Sequence, residues 1–382
     1  MIKSKLVATI SAFISMFFLG IGATIVGAAA RNIGLEAYQI GLLLGLQNIG
    51  FMIAVATSGA LSDTWKKPTL LFIGSIVLGA GFLTFYMYPN FVLNMIVMLF
   101  IGMGMGTYEG TSDAMLLDLH ESRQNMYVNV NHFFVTFGSL MITTYLIFLQ
   151  MNWRRSMVQS AAGVCALAII FILLKIKEKP VYPEPLGRRL RFLLKERRVL
   201  ILFVASAIAV GLEGGSIGIL TTYMMESGTF TQITSKIILL LFLVGIAIGR
   251  LMVGIMTEER QMYRNILILG GSGAVLFSLL YSIKPSQVSY PIVLLAGITL
   301  SAMLPLIITM AGLLYSDMTG TVIGIVKVAI PIGGILIPFI LSGLTRYLPL
   351  NIAVKLFPLL SILQFILFLS SRKSFSKDIK NL

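Results

Sequence analysis

Twelve apolar stretches, each long enough to cross a bilayer, follow one another along this chain of 382 residues. A hydrocarbon core of about 30 Å takes roughly 20 apolar residues of helix. Such spans fall at 6–30, 38–60, 69–89, 92–117, 125–150 and 156–175, and, after a basic interval, at 199–224, 233–257, 264–283, 290–314, 321–345 and 351–371. With 57% apolar and only 12% charged residues, the chain has too little polar surface to coat a soluble globule, so lipid is the solvent for most of it. The expected fold class is an all-α integral membrane protein of twelve transmembrane helices in two pseudo-symmetric six-helix bundles.

Lysine and arginine are retained on the cytoplasmic side of short loops, whereas acids carry little topological information. With both termini inside, the cytoplasmic segments hold Lys3, Lys5, Lys66, Lys67, Arg123, the run from Lys175 to Arg198, Arg250, Arg260, Arg264 and the tail from Arg372 to Lys380. The outer loops keep Arg31, Arg154, Arg155, Lys236, Lys284, Arg346 and Lys355. The net charge of +14 is therefore a topology signal for a multi-pass cell-membrane protein, and it favours contact with anionic headgroups at the cytoplasmic face. No soluble domain carries that charge, which removes nucleic acid as a partner. Lys3 and Lys5 ahead of an apolar run ending in Ala28-Ala29-Ala30 imitate a signal peptide and its cleavage site. The run is too long for that role and is read as a retained first helix. Cys165 is the only cysteine, so the chain offers no disulfide and no thiol metal site, and Cys165 is expected as a small filler in the sixth span.

The stretch from Lys175 to Arg198 is polar, basic and proline-containing (Pro180, Pro183, Pro185). It divides the chain into an N-terminal bundle at 1–175, a cytoplasmic linker at 176–198 and a C-terminal bundle at 199–382. A shift of 195 residues brings Gly59 onto Gly254, Asp63 onto Glu258, Gly102 onto Gly297, His132 onto Lys327 and Gly138 onto Gly333. Glycine-rich apolar helices align with one another by chance, which is the bland account of any one match. Taken as a set, the matches describe the internal repeat that a protein with a midplane site between two rocking halves requires.

The loop after the second span reads Gly59-Ala60-Leu61-Ser62-Asp63-Thr64-Trp65-Lys66-Lys67. A glycine, an aspartate four residues on and then basic residues resemble the signature of the major facilitator superfamily. The loop departs from that pattern at Thr64, where a cation is common, and at Lys66, where glycine is common. Gly254, Glu258 and Arg260 repeat it weakly in the second half. Physically, Gly59 lets two helices approach closely, and Asp63 with Lys66, Lys67, Glu258 and Arg260 makes a cytoplasmic charge cluster that serves as a gate. The bland reading is an ordinary charged loop that holds topology.

Inside the fourth span, Glu109 and Asp113 stand four residues apart and so share one helix face. An ionised group near the bilayer centre costs several kcal/mol unless it meets a partner or a wet cavity, so both are functional candidates. Two adjacent carboxylates repel when both are ionised, which suits a proton site. Asp118, at the helix end, is expected to be hydrated. The fifth span opens Asn129-Val130-Asn131-His132-Phe133-Phe134, with Gly138 beyond. A carboxylate-bearing fourth helix followed by this run is similar to the fucose and hexose permeases that couple uptake to protons. That resemblance implies a proton and sugar role for Glu109 and, more loosely, one for His132.

Glu213 lies in Gly211-Leu212-Glu213-Gly214-Gly215 in the seventh span, where glycines loosen the helix. Lys327, among apolar residues of the eleventh span, must pair with a buried acid, snorkel to the surface or hold an anionic substrate. Glu213 and Lys327 together are expected to couple the second half, although their depths differ. Gln47, Asn48, Tyr108, Asn131 and Thr221 sit at cavity depth, where they serve either a polyol site or interhelical hydrogen bonding. Pro305, Pro331, Gly333, Gly334 and Pro338 mark expected bends.

Three acids, Glu109, Asp113 and Glu213, against Lys327 and a neutral His132 favour a neutral or cationic solute balanced by protons. The expectation is a monomeric, proton-coupled symporter of a small polar solute such as a sugar. In that reading Glu109, Asp113, His132 and Glu213 couple protons, and Gln47, Asn48, Tyr108, Glu109, Asn131, His132, Glu213 and Lys327 bind the solute. The alternatives are a proton-driven exporter of lipophilic cations and a nonconducting membrane sensor. No paired histidines at metal spacing, phosphate-cradling loop or nucleophile–base constellation is present, so no metal, cofactor or enzymatic activity is expected.

Overall fold

The computed structural model describes residues 3–35, 37–148, 152–176, 184–226 and 230–379. Lipid offers a peptide group no hydrogen-bond partner, so each crossing closes its own backbone bonds as a helix. The first six crossings are α1 (Lys5–Ile33), α2 (Ala37–Leu61), α3 (Lys67–Thr84), α4 (Phe91–Leu119), α5 (Gln124–Phe148) and α6 (Trp153–Leu173). The amphipathic helix α7 (Leu186–Lys195) occupies the interval read as a linker. Then come α8 (Arg197–Glu226), α9 (Gln232–Met256), α10 (Met262–Ser282), α11 (Ser289–Ser301), α12 (Met303–Leu314), α13 (Thr319–Thr345), α14 (Leu350–Ala353), α15 (Leu356–Ser370) and α16 (Arg372–Ile379). Eleven stretches of these helices are long and apolar enough to cross a membrane among the described residues, and the 25-residue α5 completes the twelve crossings.

Several element ends depart from the spans read in the sequence, each for a local reason. The third crossing stops at Thr84 because Tyr86 turns into the left-handed region at φ 50°. Asn94 secures that turn: its Oδ1 accepts from the Tyr86 amide at 2.5 Å and its Nδ2 donates to the Tyr88 carbonyl at 2.9 Å. The tenth crossing breaks at Ala302 into α11 and α12. Pro305 has no N–H to give the Ser301 carbonyl four residues back, so the ladder loses a rung beside this break. By contrast α13 continues through both Pro331 and Pro338. Cys165 is exposed on α6 rather than packed as a filler.

Two compact units gather these helices: 1–192 with 315–328, and 193–314 with 329–382. In the first unit, α2 rides on α4 along glycines. A side chain at Gly102 would collide with the Gln47 carbonyl, and one at Gly106 with that of Phe51. The pair α1–α5 is closed the same way, Gly138 lying on the Phe17 carbonyl. In the second unit, Gly297 of α11 lies on the Phe242 carbonyl of α9, and Gly333 of α13 on the Ala207 carbonyl of α8. Two of the glycine pairs that a 195-residue shift superposes, Gly102 with Gly297 and Gly138 with Gly333, therefore make the same kind of contact in each unit. Small residues are the membrane solution to this problem, since lipid gives helices no hydrophobic reason to associate and close packing must supply the attraction.

His120, the residue that ends α4, sits under the first unit with its Nε2 2.9 Å from Thr9 Oγ1 and its ring stacked on Tyr127. Burial, and then the Lys5 charge, hold its pKa down to about 4.

Two measurements test this packing. Gly102→Ala should lower the thermal midpoint of the detergent-solubilised protein markedly, because a methyl there meets backbone. Gly41→Ala, with nothing within 4 Å of the added Cβ, should leave it unchanged or raise it. For His120 the folded pKa lies below the unfolded value of about 6.5. Its neutral form contributes stability that is complete above about pH 6.5 and is lost as pH falls towards 4. Wild type should accordingly lose more of its thermal midpoint between pH 7 and 4.5 than His120→Gln, which keeps a partner for Thr9 and cannot titrate.

Candidate functional site

The glycines at 102, 106 and 110 turn one face of α4 onto α2. Glu109 and Asp113 lie one position round the helix from that seam and point instead at α5 and at the start of α13. There they meet Lys327. Its Nζ lies 2.8 Å from Glu109 Oε1 and 2.6 Å from Asp113 Oδ2, and it also donates to the Glu109 carbonyl at 2.5 Å. From α5, His132 Nε2 approaches Asp113 Oδ2 at 3.0 Å and Glu109 Oε1 at 3.9 Å. Asn131 Nδ2 donates to Asp113 Oδ1 at 2.7 Å and to Ser112 Oγ at 3.0 Å. Asp113, Asn131 and Lys327 have no exposed surface, and Glu109 and His132 keep 3% and 5%.

The electrostatics of this cluster follow from a count. Two carboxylates and one ammonium leave one negative charge when the imidazole is neutral, and none when the cluster takes up one proton. Water is excluded, so the ammonium cannot be replaced by solvation, and removing it strands two anions in a low-dielectric interior. The oxygens of Glu109 and Asp113 and an imidazole nitrogen of His132 lie within 4.8 Å of one another, a donor set suited to a cation. The Lys327 ammonium supplies that cation from the chain itself.

Of the three fates open to Lys327, the structure shows pairing with buried acids, Glu109 and Asp113, while Glu213 pairs with Arg250. In the second unit Arg250 Nη2 lies 2.9 Å from Glu213 Oε1 and 3.1 Å from Oε2. Arg250 is not a cytoplasmic loop cation; it lies within α9 and is buried. Ile238, Phe242 and Ile246 are buried at four-residue spacing, and Arg250 is the next position on that face. That periodicity was the available signal. The Glu213 side chain is 24% exposed, and no atom lies within 4 Å of a Cβ added at Gly214 or Gly218, so this face of α8 is open beside the carboxylate.

At the signature loop, Asp63 finds a different cation from the expected Lys66 and Lys67. Arg189 of α7 places Nη1 2.8 Å from Asp63 Oδ2 and 2.9 Å from Thr321 Oγ1, with its side chain fully buried. Asp63 also accepts the amides of Gly320 at 2.7 Å and Thr321 at 2.8 Å, together with the Thr321 hydroxyl. A carboxylate from the turn after α2 thus caps the N-terminus of α13, where free amides and the helix dipole favour an anion. Gly59 permits the approach, since a Cβ there would lie 2.7 Å from Gly324 Cα. Lys67 pairs elsewhere, with Asp118 at 2.7 Å, so the Asp118 side chain is ion-paired and largely covered at the helix end. Lys66 is exposed at the start of α3, and Glu258 and Arg260 are exposed around the short turn after α9.

The polar residues read as cavity-lining divide by partner. Asn131 joins the cluster. Gln47 Nε2 donates to the Gly22 carbonyl at 2.9 Å and to Met105 sulfur at 3.3 Å, which ties three helices together. Tyr108 is fully buried with its hydroxyl 2.6 Å from Ser75 Oγ on α3, away from the acids. Asn48 bonds its own helix at the Leu44 carbonyl, and Thr221 is half-buried on α8.

Twelve crossings in two repeated units, with ionisable groups sealed between helices, define a membrane transporter. The Major Facilitator Superfamily model matches residues 8–338, and the chain belongs to that superfamily. Among solved structures it is similar to the E. coli fucose:proton symporter FucP, with 18% identity over 96% of this chain and 98% of that one and a TM-score of 0.76. The proton:xylose symporter XylE gives 12% identity, 97% and 96% coverage and a TM-score of 0.71. The human organic anion transporter MFSD10 gives 14% identity, 96% and 100% coverage and a TM-score of 0.77. At such identities the likeness is one of fold. No curated protein sequence matches the chain.

Removing one partner of a buried charge network costs about 3–5 kcal/mol. Lys327→Met should therefore lower the unfolding midpoint steeply. Adding Glu109→Gln and Asp113→Asn to that variant should restore much of the loss, because neutral amides no longer need the ammonium.

Proposed function

We propose that this chain carries a small, uncharged polar solute such as a sugar across the membrane together with a proton, by alternating access. The observation that carries the reading is the Lys327 ammonium held between Glu109 and Asp113 with His132 alongside. One proton brings this cluster to zero charge, so a neutral solute adds no charge that the protein must accommodate. Protonation weakens the grip on Lys327, and the cluster gains an alternative arrangement as the site opens to one side and then the other. Glu109, Asp113 and His132 share the proton. Asn131 orients Asp113, and the half-exposed Glu213 with Arg250 receives hydroxyl groups of the solute on the open face of α8.

Two of the similar folds are named as proton symporters of fucose and xylose, which supports the class of solute and of coupling ion. Cationic cargo fits less well than a neutral one, because Lys327 already neutralises the acids that would attract it. Asp63, Arg189 and the N-terminus of α13 act as the gate at the end of the bundle, apart from the solute.

Uptake into proteoliposomes under an imposed pH gradient, with a panel of labelled monosaccharides, tests the proposal. Wild type should accumulate at least one sugar against its gradient. Glu109→Gln should lose gradient-driven accumulation and retain equilibrium exchange of the same sugar. Unchanged accumulation by Glu109→Gln would take Glu109 out of the coupling mechanism, and absence of any sugar transport by wild type would refute the solute class.

A further inference from the structure

A charged cavity, separate from the cluster around Lys327, lies where α1 begins and where α4 and α6 end. It has a volume of about 500 Å³. Lys3, Lys5 and Lys175 bring three ammonium groups to it, and Asp118 and Glu121 bring two carboxylates. The Asp118 carboxylate is already committed to Lys67 at 2.7 Å, with both side chains almost fully covered. The cavity therefore presents three cations against the single exposed carboxylate of Glu121. Nothing in the transport cycle as derived above uses this surplus.

The surroundings say what kind of anion fits. The helices end here, so this is the level of the bilayer interface, and Leu119 and Ile176 add apolar wall to the cavity. Near the lysines in the chain, large apolar side chains stand outward: Leu6 after Lys5 on α1, and Ile169, Ile172 and Leu173 close to the end of α6, ahead of Lys175. Helices α1 and α6 pack on each other. An anion held by the lysines and carrying acyl chains would lay those chains on the exposed strip, whereas a free ion would leave the strip unused. Each near-surface lysine contributes about 1 kcal/mol of attraction to an anionic leaflet.

We propose that this cavity binds the phosphate headgroup of an anionic phospholipid, with its acyl chains along the outer faces of α1 and α6. The lipid would join the ends of three helices of the first unit that share no covalent tie at this point.

The test is native mass spectrometry of the full-length protein in detergent, titrated with phosphatidylglycerol or phosphatidylcholine and paired with thermal shift in inorganic phosphate. Wild type should retain one phosphatidylglycerol that phosphatidylcholine does not displace. The Lys3→Gln, Lys5→Gln, Lys175→Gln triple variant should bind it on the order of a hundredfold more weakly, the product of about fivefold per lysine. The same three positions changed to arginine should retain binding, which separates loss of charge from loss of fold. Removing three other cations of the same basic side, Arg188→Gln, Arg191→Gln and Lys195→Gln, should leave binding intact. Equal retention in the lysine-to-glutamine variant, or equal loss in both charge-removal variants, would overturn the site. Stabilisation by inorganic phosphate with none by phosphatidylglycerol would overturn the lipid as its occupant.

Discussion

A lysine ammonium placed 2.6 Å and 2.8 Å from two carboxylates inside an apolar bundle is the interaction on which the rest of the first unit turns. The acids and the lysine are each costly alone in this solvent, by several kcal/mol apiece, and tolerable only together. The pairing explains why 315–328 gathers with the first unit, although it lies far along the second half of the chain. A second, independent tie occurs nearby on the same helix. Asp63 caps the α13 amides at Gly320 and Thr321, so the helix that delivers Lys327 is anchored at its first turn before the ammonium is reached two turns later.

Close backbone approach is what makes such anchoring possible. Gly59 faces Gly320 and Gly324, and a side chain at Gly59 or Gly320 would collide with backbone and hold Asp63 away from the α13 amides. The same device recurs where α4 meets α2 and where α11 meets α9. In each case a glycine spacing decides which helix face is committed to packing and, by exclusion, which face is left for ionisable groups.

Most of the fold was legible in the sequence because a crossing is a one-dimensional signal: about 20 apolar residues, bounded by charge. Breaks within a crossing were less so. Pro305 was read as a bend, and the helix breaks three residues earlier at Ala302, since proline disrupts the bond to a residue preceding it. The acids Glu109 and Asp113 stood out because charge in an apolar run is rare. Lys327 stands out for the same reason, but which acids it meets does not, because it is separated from Glu109 by 218 positions and no local rule links them. Arg250 is ambiguous in the sequence because a cation near a span end marks topology as readily as burial, and only its place after Ile238, Phe242 and Ile246 on one helix face distinguishes the two. Arg189 was one cation in a basic run, and only tertiary packing distinguishes it as the buried one.

The distance along the chain between the acids and their lysine bears on how the protein is made. Ribosomes add about 5–20 residues per second, so the fourth crossing can leave the translocation machinery roughly 10 to 40 s before Lys327 exists. Throughout that interval Glu109 and Asp113 have His132 and Asn131 within reach but no permanent counter-charge. Until the eleventh crossing arrives, an ionised carboxylate at either position costs several kcal/mol unless water meets it. Biogenesis therefore passes through an incomplete charge set, and a chain that stalls before residue 327 leaves a fragment whose two acids lack the counter-ion that the finished bundle gives them.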